Sequence, residues 1–380
     1  KYITLVRDKR FTSERQVSIF DVLQDGNYGY SNEYAVVATT DNELGSFDFN
    51  IADGKGFIRF YPTNEKVAYN DLNICYIAYK IKDEFLGIGN SSFGDVALVN
   101  TSSVVFNTPN TPKTIVSIAN TYNSVSLMVL INPNTAVDNE EFAATQVNFV
   151  HDGVSNIITG EYGSLYTDIS ELQSANVGYG TFWPYFDGNN FKVDFTPNNT
   201  IAAQAVVNTI QIGIAQTATD TEVDYNMNHT RIQVESTNIS ASASPGPTVV
   251  NNYRYIANSE PFHAAKYWVH VADKTNNEHE FSELFVVDTI NSIGVTSEAF
   301  LTEYGNLATS SGLGTFGAEV DTTGFGLDLK FTPEPNIDVE VNIFAHHLKS
   351  ETANDVDTIL DFGNGLITDD RDEYVGTFNA

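Results

Sequence analysis

The sequence predicts an all-β protein of three tandem, antiparallel β-sandwich-like domains with very little helix, arranged as an extended array. Three observations support this prediction. One motif occurs three times at nearly constant spacing, apolar and polar residues alternate with the period of a β-strand, and turn residues recur at short intervals. Helical periodicity is scarce, which favours short strands joined by turns.

The repeated motif has two parts: a glycine that precedes one predicted strand, and a Phe-x-Pro sequence that ends the next. The prolines at positions 62, 197 and 333 lie 135 and 136 residues apart, and the glycines at 45, 180 and 314 lie 135 and 134 apart. Because the same order returns at the same spacing, we predict that these residues are structural anchors that each unit needs in order to fold. The anchors are Phe60, Pro62, Phe195, Pro197, Phe331, Pro333, Gly45, Gly180 and Gly314.

A Glu-Tyr pair lies upstream of the glycine in each copy. The pairs are Glu33-Tyr34, Glu161-Tyr162 and Glu303-Tyr304. The second and third pairs continue as Gly-x-Leu, whereas the first is followed by Ala35. The distance from pair to anchor drifts among the copies, which indicates loops of different length.

Two stretches rich in Pro, Ser and Asn, residues 107–113 and 240–247, mark the predicted connections between units. We therefore predict a first repeat with connecting strands over residues 1–113, a second over 114–247 and a third over 248–380. The third includes an acidic tail, which we expect either to be partly disordered or to complete the third unit by strand pairing.

The segments that end at the anchor prolines alternate charged and apolar residues, as in 57–61, 191–195 and 327–331. Proline lacks an amide hydrogen, so its position suits the end or edge of a strand. A turn that begins with Asp53, Asp187 or Asp321 precedes each of these strands and favours a hairpin.

The composition excludes several classes of partner. The chain has 49 acidic and 19 basic residues, which gives a net charge of −30. Such a surface repels nucleic acid and anionic lipid, so we expect neither as a partner, and no apolar window is long enough for a membrane span. Solubility alone is sufficient to account for the acidity.

Lys1 is not Met and no leader opens the chain, so we expect a processed chain or the ordered part of a longer protein.

Few residues suggest chemistry. The pairs Glu140-Glu141 and Asp369-Asp370 are typical of solvated surface, because adjacency does not create the different environments that acid and base catalysis requires. The three turn aspartates are compatible with Ca²⁺ ligation, but capping of hairpins accounts for them, since no Asp-x-Asp-x-Asp-Gly loop is present. His346-His347 lacks further metal ligands at a defined spacing, and Cys75 is the only cysteine.

The sequence therefore predicts no enzyme and no catalytic, cofactor-binding or metal site. Hydrolase and nucleotide-binding motifs are absent from the sequence. The aromatic-rich run 182–186, which includes Trp183, is the best candidate for contact with a sugar, although core packing accounts for most of it.

The aromatic-rich repeats, with Glu-Tyr-Gly-x-Leu, Leu-Gly-Thr-Phe and Phe-Thr-Pro elements, resemble repeats in virion structural proteins of tailed phages, especially marine T4-like cyanophages. The resemblance implies a non-enzymatic fibre or decoration protein of the tail, neck or head surface, which forms homo-oligomers, contacts other virion proteins and possesses β domains for assembly and host attachment. It implies a virion location and no cofactor. Two alternatives stay open: a secreted or cell-surface bacterial adhesin with tandem Ig-like domains, and a glycan-binding module.

Overall fold

The computed structural model describes residues 1–9, 11, 13–24, 28–53, 55–63, 72–81, 90–133, 142–166, 179–198, 205–218, 222–226, 230–254, 262–290, 297–321, 326–349, 358–361 and 365–374. These residues form 26 strands and no helix, and every pairing between strands is antiparallel. The predicted all-β, antiparallel class is confirmed. Within the described ranges, the chain has no helix of the length and apolarity that a membrane crossing requires.

The first six strands form part of a large sheet and a separate hairpin. They are β1 (Tyr2–Asp8), β2 (Arg15–Gln24), β3 (Gly29–Ala38), β4 (Gly45–Ala52), β5 (Lys55–Pro62) and β6 (Leu72–Ile81). Strands β4 and β5 pair only with each other, and the remaining four lie in the order β3-β2-β1-β6.

The middle of the chain forms a second large sheet, in the order β12-β11-β10-β15-β8-β7, and a small sheet, in the order β13-β14-β9. Its strands are β7 (Asn90–Phe93), β8 (Ala97–Phe106), β9 (Lys113–Ala119), β10 (Ser124–Pro133), β11 (Ala143–His151), β12 (Ile157–Tyr166), β13 (Gly180–Asp187), β14 (Asn190–Pro197) and β15 (Ala205–Ile214).

The next nine strands repeat this topology, with a large sheet β21-β20-β19-β24-β17-β16 and a small sheet β18-β23-β22. They are β16 (Glu222–Asn226), β17 (Thr230–Ile239), β18 (Thr248–Arg254), β19 (Phe262–Asp273), β20 (Glu278–Asp288), β21 (Ala299–Ala308), β22 (Gly314–Val320), β23 (Gly326–Pro333) and β24 (Val339–Lys349). The chain ends with β25 (Thr358–Asp361) and β26 (Gly365–Tyr374).

The C-terminal strands belong to the first large sheet. Strand β26 pairs along the whole of β6, from Gly365↔Ile81 to Tyr374↔Leu72, which gives the order β3-β2-β1-β6-β26-β25. The described tail strands, β25 and β26, therefore pair in the first unit and do not complete the third, which was one of the two outcomes expected from the sequence. In the large sheet of the third unit, β17 pairs with the corresponding edge of β24. In the first unit, β26 takes this place beside β6.

We call β1–β6 with β25–β26 the first unit, β7–β15 the second and β16–β24 the third. The boundaries at residues 113 and 247 stay predictions, but pairing alone groups the strands between 90 and 106 with the second large sheet and those between 222 and 239 with the third. Each large sheet packs one face against the small sheet or hairpin of its own unit.

The other faces of the three large sheets meet in one central core. Side chains from all three units contribute to it, including Tyr79, Ile212, Trp268 and Phe344. Strands β19 and β24 are consequently buried at nearly every position, on both faces. The three units thus surround a common core, which differs from the expected extended array. The reason is that the sheet faces expected to meet solvent carry apolar and hydrogen-bonded side chains that pack between units.

Candidate functional site

The predicted anchors lie in the small sheets, where each phenylalanine covers a glycine of the neighbouring strand. The rings of Phe195 and Phe331 are fully buried, and Phe60 is 7% exposed. A Cβ atom added at Gly180 would lie 2.4 Å from Cζ of Phe195, and one added at Gly314 would lie 2.3 Å from Cζ of Phe331. The ring therefore occupies the space that a side chain would need. Whether each unit depends on these anchors for folding stays a prediction.

The same relation holds in the first unit, where a Cβ atom at Gly45 would lie 2.5 Å from Cζ of Phe60. Each anchor ring also packs on the phenylalanine two residues after the glycine, with centroids 4.9 Å apart for Phe47 and Phe60. The corresponding distances are 5.1 Å in the second unit and 4.8 Å in the third. The anchor prolines Pro62, Pro197 and Pro333 end β5, β14 and β23.

The tyrosines of the three Glu-Tyr pairs converge where β3, β12 and β21 meet. Tyr34 and Tyr162 pack edge to face, with centroids 6.3 Å apart. Tyr304 lies beside Lys266, whose Nζ is 4.4 Å from its ring centroid. The pair that recurs in the sequence therefore marks the junction of the units. Sequence reasoning found the repeat but gave no indication that its copies touch one another.

A buried ion pair lies at this junction. Nζ of Lys266 donates to Glu283, and both side chains are essentially inaccessible to water. The other carboxylate oxygen of Glu283 accepts hydrogen bonds from Gln146 at 2.8 Å and Asn148 at 2.6 Å, both in the second unit. Burial raises the pKa of Glu283 to about 7 and lowers the pKa of Lys266 well below its usual value. The hydrogen bonds from Gln146 and Asn148 to Glu283 join the second and third units.

A second polar cluster joins the first and third units. The guanidinium of Arg15 donates to Asp288 with Nη1–Oδ1 at 3.2 Å and to the carbonyl oxygen of Ile290 at 2.6 Å. Asp288 also contacts Nδ1 of His263 at 2.9 Å and accepts from the hydroxyl of Tyr253 at 3.0 Å. The contacts of Arg15 with Asp288 and Ile290 therefore hold the two units together.

The His346-His347 pair lies in β24 with one ring on each face. Nε2 of His346 meets the hydroxyl of Tyr79 from the first unit, and Nε2 of His347 lies 2.8 Å from Oε1 of Gln233. Burial lowers the pKa of His346 to about 3 and that of His347 well below its usual value. The two imidazoles point into different cores, so they do not form a metal site together.

Another histidine cluster has the composition of a catalytic group but not the access. Oγ of Ser124 lies 2.5 Å from Nδ1 of His270, and Nε2 of His270 lies 3.2 Å from Nδ1 of His279. All three residues have no exposed surface. Burial holds the pKa of His270 well below its usual value. A serine that no substrate reaches does not act as a nucleophile, so this cluster ties β10 to β19 and β20.

No described group of three or more His, Cys, Asp or Glu residues is arranged to hold a metal ion. Of the turn aspartates, Asp187 pairs with Nζ of Lys192 at 2.5 Å, and Asp53 adopts a φ of 52°. Residues 140–141 lie outside the described residues, as do the side chains of residues 369–370. Trp183 is 69% exposed on β13, so it is the described aromatic best placed for a sugar.

The first unit has an open groove, lined mainly by aromatic side chains, that sequence reasoning missed. Its volume is about 430 Å³, and it lies between the large sheet and the β4–β5 hairpin. The groove lies beside the outer edge of β5, which no described strand covers. Phe57 of β5 lines it and is 42% exposed. The anchor motif gave no signal for this opening, because the motif is complete in the first copy as well as in the other two.

No family model matches the sequence, and no curated protein matches it. Two solved structures give weak similarity, one described as "Life in the extremes: atomic structure of Sulfolobus Turreted Icosahedral Virus" and one as "The Triple Jelly Roll Fold and Turret Assembly in an Archaeal Virus". The first comparison covers 93% of this chain and 80% of that chain, at 11% identity and a TM-score of 0.18. The second covers 92% and 78%, also at 11% identity and a TM-score of 0.18. At such values neither structure carries an argument about this chain.

Proposed function

We propose that this chain is a non-enzymatic structural component of a virus particle, a fibre or decoration protein of a phage tail, neck or head surface. One observation carries the proposal. The polar side chains of the kinds that perform catalysis, where they cluster among the described residues, are buried between the units and hold the units together. Lys266, Glu283, Ser124 and His270 are all less than 2% exposed. Such an architecture suits a protein that acts by shape and contact.

The resemblance to phage virion repeats supports the particle location, and the central core supports a rigid role. Three units packed around one core form a compact block with an outer surface on each unit, a form suited to multivalent contact with copies of itself and with other virion proteins. A net charge of −30 makes nucleic acid an unfavourable partner. We propose host attachment as a further role of the outer small sheets.

The test is recovery of the chain from purified particles. Particles separated on a density gradient should contain the chain in constant proportion to the major capsid protein, and mild salt washes should not remove it. An antibody against the chain should decorate the particle surface in electron micrographs. Recovery only from the cell surface or the culture medium, with none in particles, would favour the adhesin and contradict the virion role.

Glycan binding is a second candidate function, because Trp183 is 69% exposed and a flat indole is suited to stacking on a sugar face. A glycan array probed with the purified chain tests it. Binding that Trp183→Ala abolishes, while an equally exposed control such as Val154→Ala retains it, would support this candidate. Uniform absence of binding would contradict it and leave the virion proposal unaffected.

A further inference from the structure

Two buried histidines of the third unit lie opposite polar side chains of the other two units. His270, in β19, faces Ser124 of the second unit, with Nδ1 and Oγ 2.5 Å apart. His263, near the start of β19, faces Arg15 of the first unit, with Nε2 and Nη2 3.3 Å apart. The two histidines are 0% and 3% exposed. Each junction of the third unit therefore contains an imidazole nitrogen opposite a polar group of the neighbouring unit.

The hydrogen-bond partners of His263 determine which of its nitrogens carries the proton. A guanidinium has donor groups only, so Nε2 of His263 accepts the hydrogen bond from Arg15. The proton is therefore on Nδ1, which donates to Oδ1 of Asp288 at 2.9 Å. A further proton on His263 would place its Nε2–H group directly against an N–H group of Arg15.

A chain of hydrogen bonds determines the state of His270 in the same way. The side-chain nitrogen of Asn277 donates to the carbonyl oxygen of Asp152 at 3.2 Å, so its oxygen accepts from Nε2 of His279. Nδ1 of His279 then accepts from Nε2 of His270 at 3.2 Å. Nδ1 of His270 is consequently the acceptor for the hydroxyl of Ser124. Each step requires neutral imidazoles, because a proton added to His270 or His279 would set one donor against another.

We propose that these two junctions form an acid-sensitive switch, in which protonation of His263 and His270 opens the contacts of the third unit with the first and second before the units themselves unfold. The second and third units each have a core of their own between the large and the small sheet, so opening at the central core leaves those two cores in place. In acid the inner faces of the large sheets then become accessible. This inference does not depend on the proposed function.

The charged groups around His263 favour its neutral state. Burial and the guanidinium of Arg15 lower the pKa of His263 to about 4, whereas the carboxylate of Asp288 acts in the opposite direction. The titratable and charged groups on the neighbouring strands include Arg7 on β1, Tyr253 on β18 and Lys349 on β24. Arg7 lowers the pKa of His263 further, and Tyr253 donates to the other oxygen of Asp288 at 3.0 Å.

His270 lies close to two other imidazoles. Burial holds its pKa well below the usual value, and His279 and His151 lower it further, since a charge on one imidazole disfavours a charge on the next. Burial also lowers the pKa of His279 to about 4, and Asp152 acts in the opposite direction. The neighbouring groups on β24 are Asn342, opposite His270, and Glu340, which pairs with Lys274.

The sign of the pH effect follows from these shifts. A histidine whose pKa is lowered in the closed chain takes up a proton when the junction opens, so the closed state is fully stable above about pH 6.5 and loses stability toward pH 4. Glu283 acts the other way, because burial raises its pKa to about 7 and it gains a proton in the closed chain. Three histidines at the junctions, His263, His270 and His279, act against this one carboxyl group, so acid favours opening.

The native chain tests the order of events. Cys75, the only cysteine, lies on the same face of β6 as Ile77 and Tyr79 of the central core. A disulfide reagent that reacts with thiols in acid should modify Cys75 at least about tenfold faster at pH 4 than at pH 7, relative to the urea-unfolded chain at the same pH. Hydrogen exchange should show that β14 and β23 stay protected over this range. Simultaneous loss of both kinds of protection, or an unchanged reaction of Cys75, would overturn the proposal.

Two substitutions retain the hydrogen-bond acceptor but cannot take up a proton. In His263→Gln the amide oxygen replaces Nε2, and in His270→Asn it replaces Nδ1. Each should move the midpoint of Cys75 exposure at least about half a pH unit lower, and the double variant should move it further.

The matched control is His347→Gln, because His347 is equally buried but contacts Gln233 within the third unit. Its midpoint of Cys75 exposure should equal that of the native chain. If His263→Gln and His270→Asn leave the midpoint unchanged, or if the control moves it as far as they do, protonation at the junctions does not drive opening and the proposal is overturned. In case neither variant folds, the order of events in the native chain still decides.

Discussion

The first unit contains the same anchor residues as the other two units, but fewer strands and fewer buried residues surround them. In the second and third units a three-stranded small sheet covers a core of many buried residues, whereas in the first unit a two-stranded hairpin leaves a groove open. The first unit also takes two strands of its large sheet from the far end of the chain. The motif therefore fixes a local packing arrangement, while the rest of the chain decides how many strands surround it.

Low pH should destabilise the second and third units more than the first, and this is the largest effect we expect. The six histidines with described surroundings all lie in those two units. Burial lowers the pKa of His151 and His346 to about 3 and of His263 and His279 to about 4, and it holds His270 and His347 well below the usual 6.5. The unfolded chain binds protons at these sites below pH 6.5 and the folded chain does not. Stability is therefore complete above pH 6.5 and falls as the pH decreases toward 4.

Each such histidine contributes at most about 1.4 kcal/mol per pH unit. Glu33, Glu280 and Glu283 have raised pKa values and act in the opposite direction, but they are fewer. Denaturant midpoints measured between pH 7 and 4 should fall steeply. Hydrogen exchange should show that β19 and β24 lose protection before the β4–β5 hairpin. A flat stability profile over this range would contradict the buried, neutral state of the histidines.

The junction of the units is the next most sensitive site. We expect Lys266→Met to lower the free energy of unfolding by about 3–5 kcal/mol, since it leaves the carboxylate of Glu283 buried without its cation. The double variant Lys266→Met with Glu283→Gln should recover most of the loss, because both charges are then gone. Urea titrations of the two single variants and the double variant measure this. Additive losses would show that the two side chains do not interact.

The anchor phenylalanines differ in burial between the units. Phe195→Ala and Phe331→Ala should each cost about 3–5 kcal/mol, because both rings are fully enclosed. Phe60→Ala should cost less, about 2–3 kcal/mol, because its ring borders the open groove and its surroundings are free to relax. Unfolding curves of the three variants test the ranking. A loss below about 1 kcal/mol at all three would mean that the repeated phenylalanines are not structural anchors.

The antiparallel strands and their turns were predictable from the sequence because alternation and proline position are local signals. The segments ending at Pro62, Pro197 and Pro333 are strands as predicted. The arrangement of the units was not predictable, because it depends on which sheet faces meet. Nothing in the sequence singles out Lys266 and Glu283, and only the convergence of three sheets makes them a buried pair. The pairing of β26 with β6 joins residues nearly three hundred positions apart, and no local pattern reports it.

A smaller effect comes from the backbone after the Glu-Tyr pair. Gly163 and Gly305 adopt φ values of 67° and 63° there, and Ala35 adopts 53° at the matching position of the first unit. This region disfavours residues with a Cβ atom. Ala35→Gly should therefore raise stability by about 0.5–1 kcal/mol, and Gly163→Ala should lower it, in thermal or urea unfolding. Destabilisation by Ala35→Gly would show that the methyl group packs well enough to outweigh the strain.

Trp183 should give the smallest change, because it lies on the outer face of the same small sheet that buries Phe195. With 69% of its surface exposed, Trp183→Ala has little packing to remove, and we expect a change within about 0.5 kcal/mol in urea unfolding. Its neighbour Phe182, which packs on Phe195 with centroids 5.1 Å apart, should cost more on the same substitution. The contrast separates the two faces of β13, since one face stabilises the unit and the other is available for contact. A large loss at Trp183 would mean that this face is covered as well, and the small sheets would then lack the free outer surface that contact with other proteins requires.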